Sequence, residues 1–181
     1  PNKVVSSQAF VDVTFALASS KRTAEALQLV EKAVSMKVPL VEILNAALPA
    51  YALDGGVDAV KKFVTRANAQ RHGEKVVPSL LACNQCLEIL YDRPEAQKAF
   101  FDMMKGEFGI AHDVASFTAL INGCLKRREA ETASAHLQHM IDAQLPFDQY
   151  CFNTVLNLNA KARRTADAKK WFSLMKQQNC N

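Results

Sequence analysis

The chain has 181 residues, 49% of them hydrophobic and 22% charged, with a formal charge of +4. That is a globular composition, and no apolar run reaches the roughly 18 residues that a membrane span needs. Aromatics are few, Ala and Leu are many and β-branched alternation is scarce, which favours helix throughout and argues against a strand-rich fold.

The charge is uneven. From Val114 onward there are nine Lys/Arg against five Asp/Glu, and the rest of the chain sums to zero. A mild basic bias at one end is compatible with a polyanionic partner. Five cysteines (Cys83, Cys86, Cys124, Cys151, Cys180) are scattered and odd in number. They form no disulfide framework, so a reducing compartment is expected. The chain opens on Pro1 rather than Met and its last segment stops in mid-pattern. It reads as an excerpt of a longer protein.

In chain order, amphipathic segments fall into pairs. Residues 8–18 precede 23–33, 42–53 precede 57–67, 81–91 precede 95–104, 115–126 precede 129–141, and 150–162 precede 165–175. A small residue followed one turn later by a larger one marks each second segment: Ala26/Val30, Ala59/Phe63, Ala96/Phe100, Ala133/Leu137 and Ala168/Phe172. The small residue lets a neighbouring helix approach and the larger one fills the gap. Short polar turns (SSKR, DGG, DRP, RRE, RRT) separate the members of a pair. Pro39, Pro78 and Pro146 fall between pairs, where no helical N–H is needed, and Pro94 falls in a turn within a pair. Pro49 is the exception: it lies inside a first helix and is expected to kink it.

The units therefore run near 7–41, 42–79, 80–113, 114–148 and 149–181, the last cut short. A helical hairpin of about 35 residues cannot bury its apolar face alone, whereas stacked hairpins can. The expected fold is all-α: one domain over 1–181, an α-solenoid of helix-turn-helix repeats with a continuous concave groove.

Two stretches narrow the repeat type. GIAHD (residues 109–113) leads into VASFTALI (114–121), and QLPFD (144–148) leads into QYCFNTVL (149–156). They resemble the pentatricopeptide repeat, whose closing loop reads like G-I-K-P-D and whose first helix opens like V-V-T-Y-N-T-L-I. Lys126 and Lys161, Met140 and Met175, Gly123, Ala133 and Ala168 fit the same pattern. The resemblance is specific from about Leu80 onward; the first two units match mainly in their second helices.

This resemblance implies a right-handed superhelix that binds single-stranded RNA, one base per repeat. The implied base-reading pairs are Asn84 with Asp113 and Thr118 with Asp148. Asn153 would open a third pair whose partner lies beyond Asn181. A carboxylate only accepts hydrogen bonds, so it suits uracil and guanine, which carry a ring N–H on the pairing edge. The family's rule agrees: Asn with Asp for uracil, Thr with Asp for guanine. With RNA running 5′ to 3′ along the repeats the expected contact is U-G-pyrimidine. Leu81, Ala115 and Tyr150 would stack on the bases, and Lys126 and Lys161 would meet phosphates.

The first two units depart from this. Val11 and Val41 occupy the first unit's reading places, and Ala46 with Ser79 the second's. Ser19, Asp54 and Asp92 stand where later units carry lysine. Those units are expected to be structural or to bind a protein.

Other patterns carry less. Cys83 and Cys86 form a CxxC without a second pair or a placed His, and read as buried core thiols rather than a zinc or redox site. His136 and His139, with Asp142 beyond them, share a helix face but read as packing or surface groups, with no metal. Lys126-Arg127-Arg128 and Arg163-Arg164 sit at equivalent turns and read either as solvated turns or as a phosphate track. No clustered carboxylates, phosphate loop or nucleophile–base constellation can be argued, so neither catalysis nor a cofactor is expected.

Two functions remain. The first is a non-enzymatic RNA-binding module, which the family places in a mitochondrion or plastid, in RNA processing, stability, editing or translation. The second is a protein-binding scaffold of the same fold, such as a structural subunit of a mitochondrial ribosome. A third arrangement has these repeats delivering an enzyme domain that lies outside the excerpt.

Overall fold

The computed structural model describes residues 7–36, 38, 40–69, 75–146 and 149–177. All regular structure among them is helical: α1 (Ser7–Ser19), α2 (Thr23–Ser35), α3 (Leu40–Ala69), α4 (Leu80–Ile89), α5 (Pro94–Gly106), α6 (Val114–Arg127), α7 (Ala130–Asp142), α8 (Gln149–Lys161) and α9 (Thr165–Gln177). They form consecutive hairpins, the second being the two halves of α3. α1 packs on α3, α3 on α4, α4 on α6 and α6 on α8, so the first helices of successive hairpins make one row. The second helices lie behind them: α2 packs on α1 and α3, and α7 on α6 and α8. This is the expected α-solenoid.

Local chemistry fixes where each helix starts and stops. Ser79 caps α4 by accepting the Ala82 N–H at 3.2 Å. Asp113 caps α6 in a reciprocal box with Ser116, satisfying two backbone donors at once. Pro94 opens α5, where its missing N–H is no loss. Three of the turns within hairpins end the first helix alike. Lys21, Arg128 and Arg163 adopt a left-handed backbone (φ 59°, 63° and 58°). Each N–H reaches three residues back, and the following N–H reaches five back, as in Arg163 to the Ala160 carbonyl (3.1 Å) and Arg164 to the Asn159 carbonyl (2.9 Å). That is a Schellman closure made with basic residues instead of glycine.

The expected kink is displaced. Backbone helicity breaks at Gly55 (φ −128°, ψ 17°) and Gly56 (φ 62°, ψ −150°), not at Pro49. Gly56 sits in a region essentially restricted to glycine, so the Gly pair turns the chain and the helix simply runs through Pro49.

Buried side chains run along the seam between hairpins. Ala26, Val30, Phe63, Phe100, Ala133 and Leu137 are all inside, as the small-then-large pattern requires. A fully buried residue such as Phe100, Leu87 or Met104 contributes about 1.5–3 kcal/mol relative to exposure. Ala59 and Ala96 are half-buried, and in the last pair Phe172 is 48% exposed while its neighbour Trp171 is the buried ring. The indole Nε1–H donates to Ser134 Oγ at 3.1 Å, and Asn159 Nδ2 donates to the same oxygen at 2.9 Å, tying the last two hairpins together. Cys83, Cys86, Cys124 and Cys151 are buried free thiols, and burial pushes Cys83 up to about 12 and Cys124 up to about 11. They are packing groups, as the sequence suggested. Among the described residues no helix is long and apolar enough to cross a membrane, and no cluster of three His, Cys, Asp or Glu could hold a metal.

Candidate nucleic-acid interface

The first-helix row carries most of the residues singled out from the sequence. At the α4/α6 joint, Asn84 Nδ2 donates to Asp113 Oδ1 at 3.1 Å. The two side chains, 29 residues apart, are thus brought together as expected. Ser116, fully buried, completes the cluster. Its N–H donates to Asp113 Oδ1 at 2.8 Å, and its Oγ lies 2.7 Å from Asn84 Oδ1 and 2.8 Å from Asp113 Oδ1. The single hydroxyl hydrogen serves one of those two oxygens at a time. Burial alone would raise the Asp113 carboxyl, but the Ser116 N–H, the Ser116 hydroxyl and the Asn84 amide outweigh it and hold it below the ordinary carboxylate value. Asp113 therefore stays ionised at neutral pH and keeps its second oxygen free to accept.

The loop before Asp113 is locked from behind. Gly109 supplies a positive φ of 67°, and Ile110 N–H returns to the Met104 carbonyl at 2.8 Å. His112 Nε2–H donates to the Phe101 carbonyl at 2.8 Å while its ring stacks on Phe101 at 3.6 Å. The carboxylate is thereby aimed by a rigid loop.

At the α6/α8 joint, Thr118 Oγ1 donates to the Val114 carbonyl at 2.8 Å and sits 3.5 Å from Cys151 Sγ. With its hydrogen directed back into the helix, Thr118 Oγ1 is left as an acceptor. Its expected partner, Asp148, lies outside the described residues. Asn153 is exposed on α8. The proposed stacking residues are all open: Leu81 is 70% and Tyr150 48% exposed, and Ala115 is exposed too. Tyr150 is held in place by its hydroxyl, which donates to Asn122 Oδ1 at 2.6 Å.

The basic turns are split in role. Lys126 Nζ sits 3.8 Å from the centre of the Tyr91 ring, which Lys21 approaches at 5.5 Å from the first hairpin. Lys21 also pairs with Asp92, so that aspartate is neutralised within the fold. Lys161, Arg128 and Arg163 are exposed. Arg127 is not available: it donates to the Tyr91 carbonyl and to Gln97 Oε1 (3.1 Å) and pairs with Glu129 at 2.9 Å, its side chain only 14% exposed. Arg164 is engaged by Glu131 at 3.0 Å and Asp167 at 2.9 Å. A phosphate track through every turn arginine is therefore ruled out by geometry; half of them are staples.

In the second hairpin the register differs from the sequence reading by one residue. Ala46 is buried (2% exposed), and the exposed residue facing Ser79 is Asn45, whose Oδ1 accepts the Ser79 N–H at 2.8 Å. The signal was present: Val38-Pro39 and Val77-Pro78 each precede an Asn by six residues counted from the proline. The same register puts buried Leu40, rather than Val41, at the first hairpin's closing place. The side chains of Val11 and Val41 lie outside those described.

Residues 115–145 and 150–180 match the family model described as PPR repeat. The fourth and fifth hairpins are matched as pentatricopeptide repeats. The fold agrees over its whole length. The PPR protein PPR10 from maize superposes with a TM-score of 0.69 at 19% identity, over 100% of this chain and 25% of that one. PPR10 in complex with an 18-nt psaJ RNA element superposes at 0.65 and 17% identity, over 99% and 29%. The PPR domain of Arabidopsis thaliana protein-only RNase P 1, in complex with tRNA, superposes at 0.60 and 19% identity, over 96% and 91%. The chain thus spans about a quarter of the length of the PPR10 chains. No curated protein matches it in sequence.

Proposed function

We propose that this chain binds single-stranded RNA without catalysing its reaction, its third to fifth PPR hairpins contacting U, G and a pyrimidine in 5′ to 3′ order. The observation that carries this reading is the Asn84–Asp113 joint. A rigid loop aims an ionised, half-buried carboxylate beside the Asn84 amide, itself only 7% exposed, with one oxygen unspent. That oxygen suits the ring N–H of uracil, while the amide's second hydrogen suits a flanking carbonyl. Leu81, Ala115 and Tyr150 supply open faces for stacking; Lys126 and Lys161 supply cations for the backbone. PPR10 with its psaJ RNA and the RNase P 1 domain with tRNA support the reading by likeness of fold. The mitochondrial or plastid setting, and a role in transcript processing, stability, editing or translation, rest on the family resemblance.

The scaffold alternative has support at one end. The first hairpin closes on buried Leu40 and its turn lysine is spent on Asp92, so a protein partner is the better occupant there.

Titration with short RNAs containing U-G-C or the control A-C-A tests the proposal. Tighter binding of U-G-C is expected, and equal failure of both, insensitive to salt, would favour the scaffold. Asp113→Asn replaces an acceptor by an amide donor while keeping an equally good helix cap. It should move the choice at the first base from uracil toward cytosine; an unchanged preference would remove Asp113 from the reading pair.

A further inference from the structure

We propose that Gln97 and Ser134 are positioning residues that fix the spacing between successive bases, Gln97 for the uracil–guanine step and Ser134 for the guanine–pyrimidine step. This rests on the RNA-binding reading above.

Both residues occupy one place in the repeat, directly after the small residue of the second helix: Ala96-Gln97 and Ala133-Ser134. The first two hairpins carry Leu27 and Val60 there, and both belong to the apolar core. The change from apolar to polar falls at the seams between the hairpins assigned to bases. Gln97 is 2% exposed and bridges the third and fourth hairpins. Its Nε2 donates to the Leu87 carbonyl of α4 at 2.8 Å and lies 3.5 Å from the Ala119 carbonyl of α6. Its Oε1 accepts from Arg127 Nη1 at 3.1 Å, and the same guanidinium holds the Tyr91 carbonyl. Gly123 leaves the room for this network. A Cβ at that position would stand 2.9 Å from both polar atoms of Gln97 and from Arg127 Nη1. Between the fourth and fifth hairpins, Ser134 Oγ donates to the Ala130 carbonyl at 2.9 Å. It accepts Asn159 Nδ2 of α8 at 2.9 Å and Trp171 Nε1 of α9 at 3.1 Å.

Apolar side chains repack at little cost, whereas a buried network with fixed partners is satisfied in one arrangement. Gln97 therefore fixes α4 against α6, the helices that carry Asn84 and Thr118. Ser134 fixes the fourth hairpin against α8, the helix that carries Asn153. Both act through those side chains and without touching RNA.

The test uses the whole 181-residue chain and three RNAs: U-G-C, and the same sequence with one abasic nucleotide inserted after the uracil or after the guanine. In the wild-type chain each insertion should weaken binding about tenfold, the size of one or two net hydrogen bonds. Gln97→Met keeps the length of the side chain and removes its hydrogen bonds. It should shrink the penalty of the first insertion to about twofold, a coupling typical of residues in one network, and leave the second penalty unchanged. Ser134→Ala should do the reverse. A merely structural role would weaken all three RNAs alike and leave both ratios at their wild-type values, which would overturn the proposal. Wild-type indifference to the insertions would overturn it too. Should Gln97→Met lack a cooperative melting transition, Ser134→Ala, which deletes a single hydroxyl, decides. Either overturning result, with U-G-C still outbinding A-C-A, leaves the RNA-binding reading standing. Failure of the wild-type chain to bind any RNA overturns that reading and this proposal together.

Discussion

Asp113 does two jobs with two oxygens. Oδ1 takes the Ser116 N–H and the Asn84 amide, and Oδ2 is left over. Because its folded pKa is lowered, the stability it contributes is present above the ordinary carboxylate value of about 4 and is lost as pH falls through the folded value. Neutral conditions thus leave both cap and acceptor intact. His136 acts in a higher window. Burial, then His139 and Arg127, push it down to about 4. As pH falls below about 6.5 the unfolded chain takes up a proton that the folded chain refuses. Stability should then drop by up to about 1.4 kcal/mol per pH unit until roughly pH 4. Urea midpoints at pH 7 and pH 5 measure this, and His136→Gln should flatten the difference. Asn84 and Asp113 were named from the sequence through the family resemblance, which pairs the polar residue of one first helix with the acid closing the same unit's loop. Arg127 was not: a run of three cations looks like a solvated turn, and only packing reveals that its targets are the Tyr91 carbonyl and Gln97 in the preceding hairpin.

At the scale of the helix, arginines in turns fasten one hairpin to the last. Arg127 closes the carbonyl end of α4's turn from α6, and Arg93 does the same for the Leu53 carbonyl. Removing such a group leaves buried acceptors without partners, at a cost of about 1–3 kcal/mol for each. Arg127→Met should therefore lower stability by about 2–3 kcal/mol, read as a shift in denaturant midpoint. Arg128→Met, on an exposed side chain, should shift it little. Helix boundaries were legible from periodicity and caps in every hairpin but the second. There the proline was the expected breaker, yet the Gly55-Gly56 pair turned the chain. The reason is conformational: a proline N–H that is absent removes one bond, whereas φ 62° with ψ −150° reverses direction outright. The extra residues of that hairpin also explain the lost register. A unit boundary placed at Glu42 instead of Val41 shifts every inferred contact by one, and Ala46 was read where Asn45 stands.

Across the whole molecule, exposed cations separate from engaged ones. Lys161 has an open side chain at the end of α8, and Lys126 rests on Tyr91. On single strands each phosphate contact contributes about 0.7 to the slope of log affinity against log salt. Lys161→Ala should reduce that slope by about this amount, and Arg127→Met should leave it unchanged; binding isotherms across a salt series distinguish the two. The solenoid was legible because five similar units recur, but how the units wind on one another was not, since it depends on seam packing such as Ser134 holding Trp171 and Asn159. Asn45 with Ser79 and Asn84 with Asp113 each have one member on either side of a seam. Their separations are therefore set by pitch, like the gaps between turns of a spring. On the proposed RNA-binding reading, a substitution buried on the far side of the coil, touching no nucleotide, would retune which letters are accepted by changing how tightly the spring is wound.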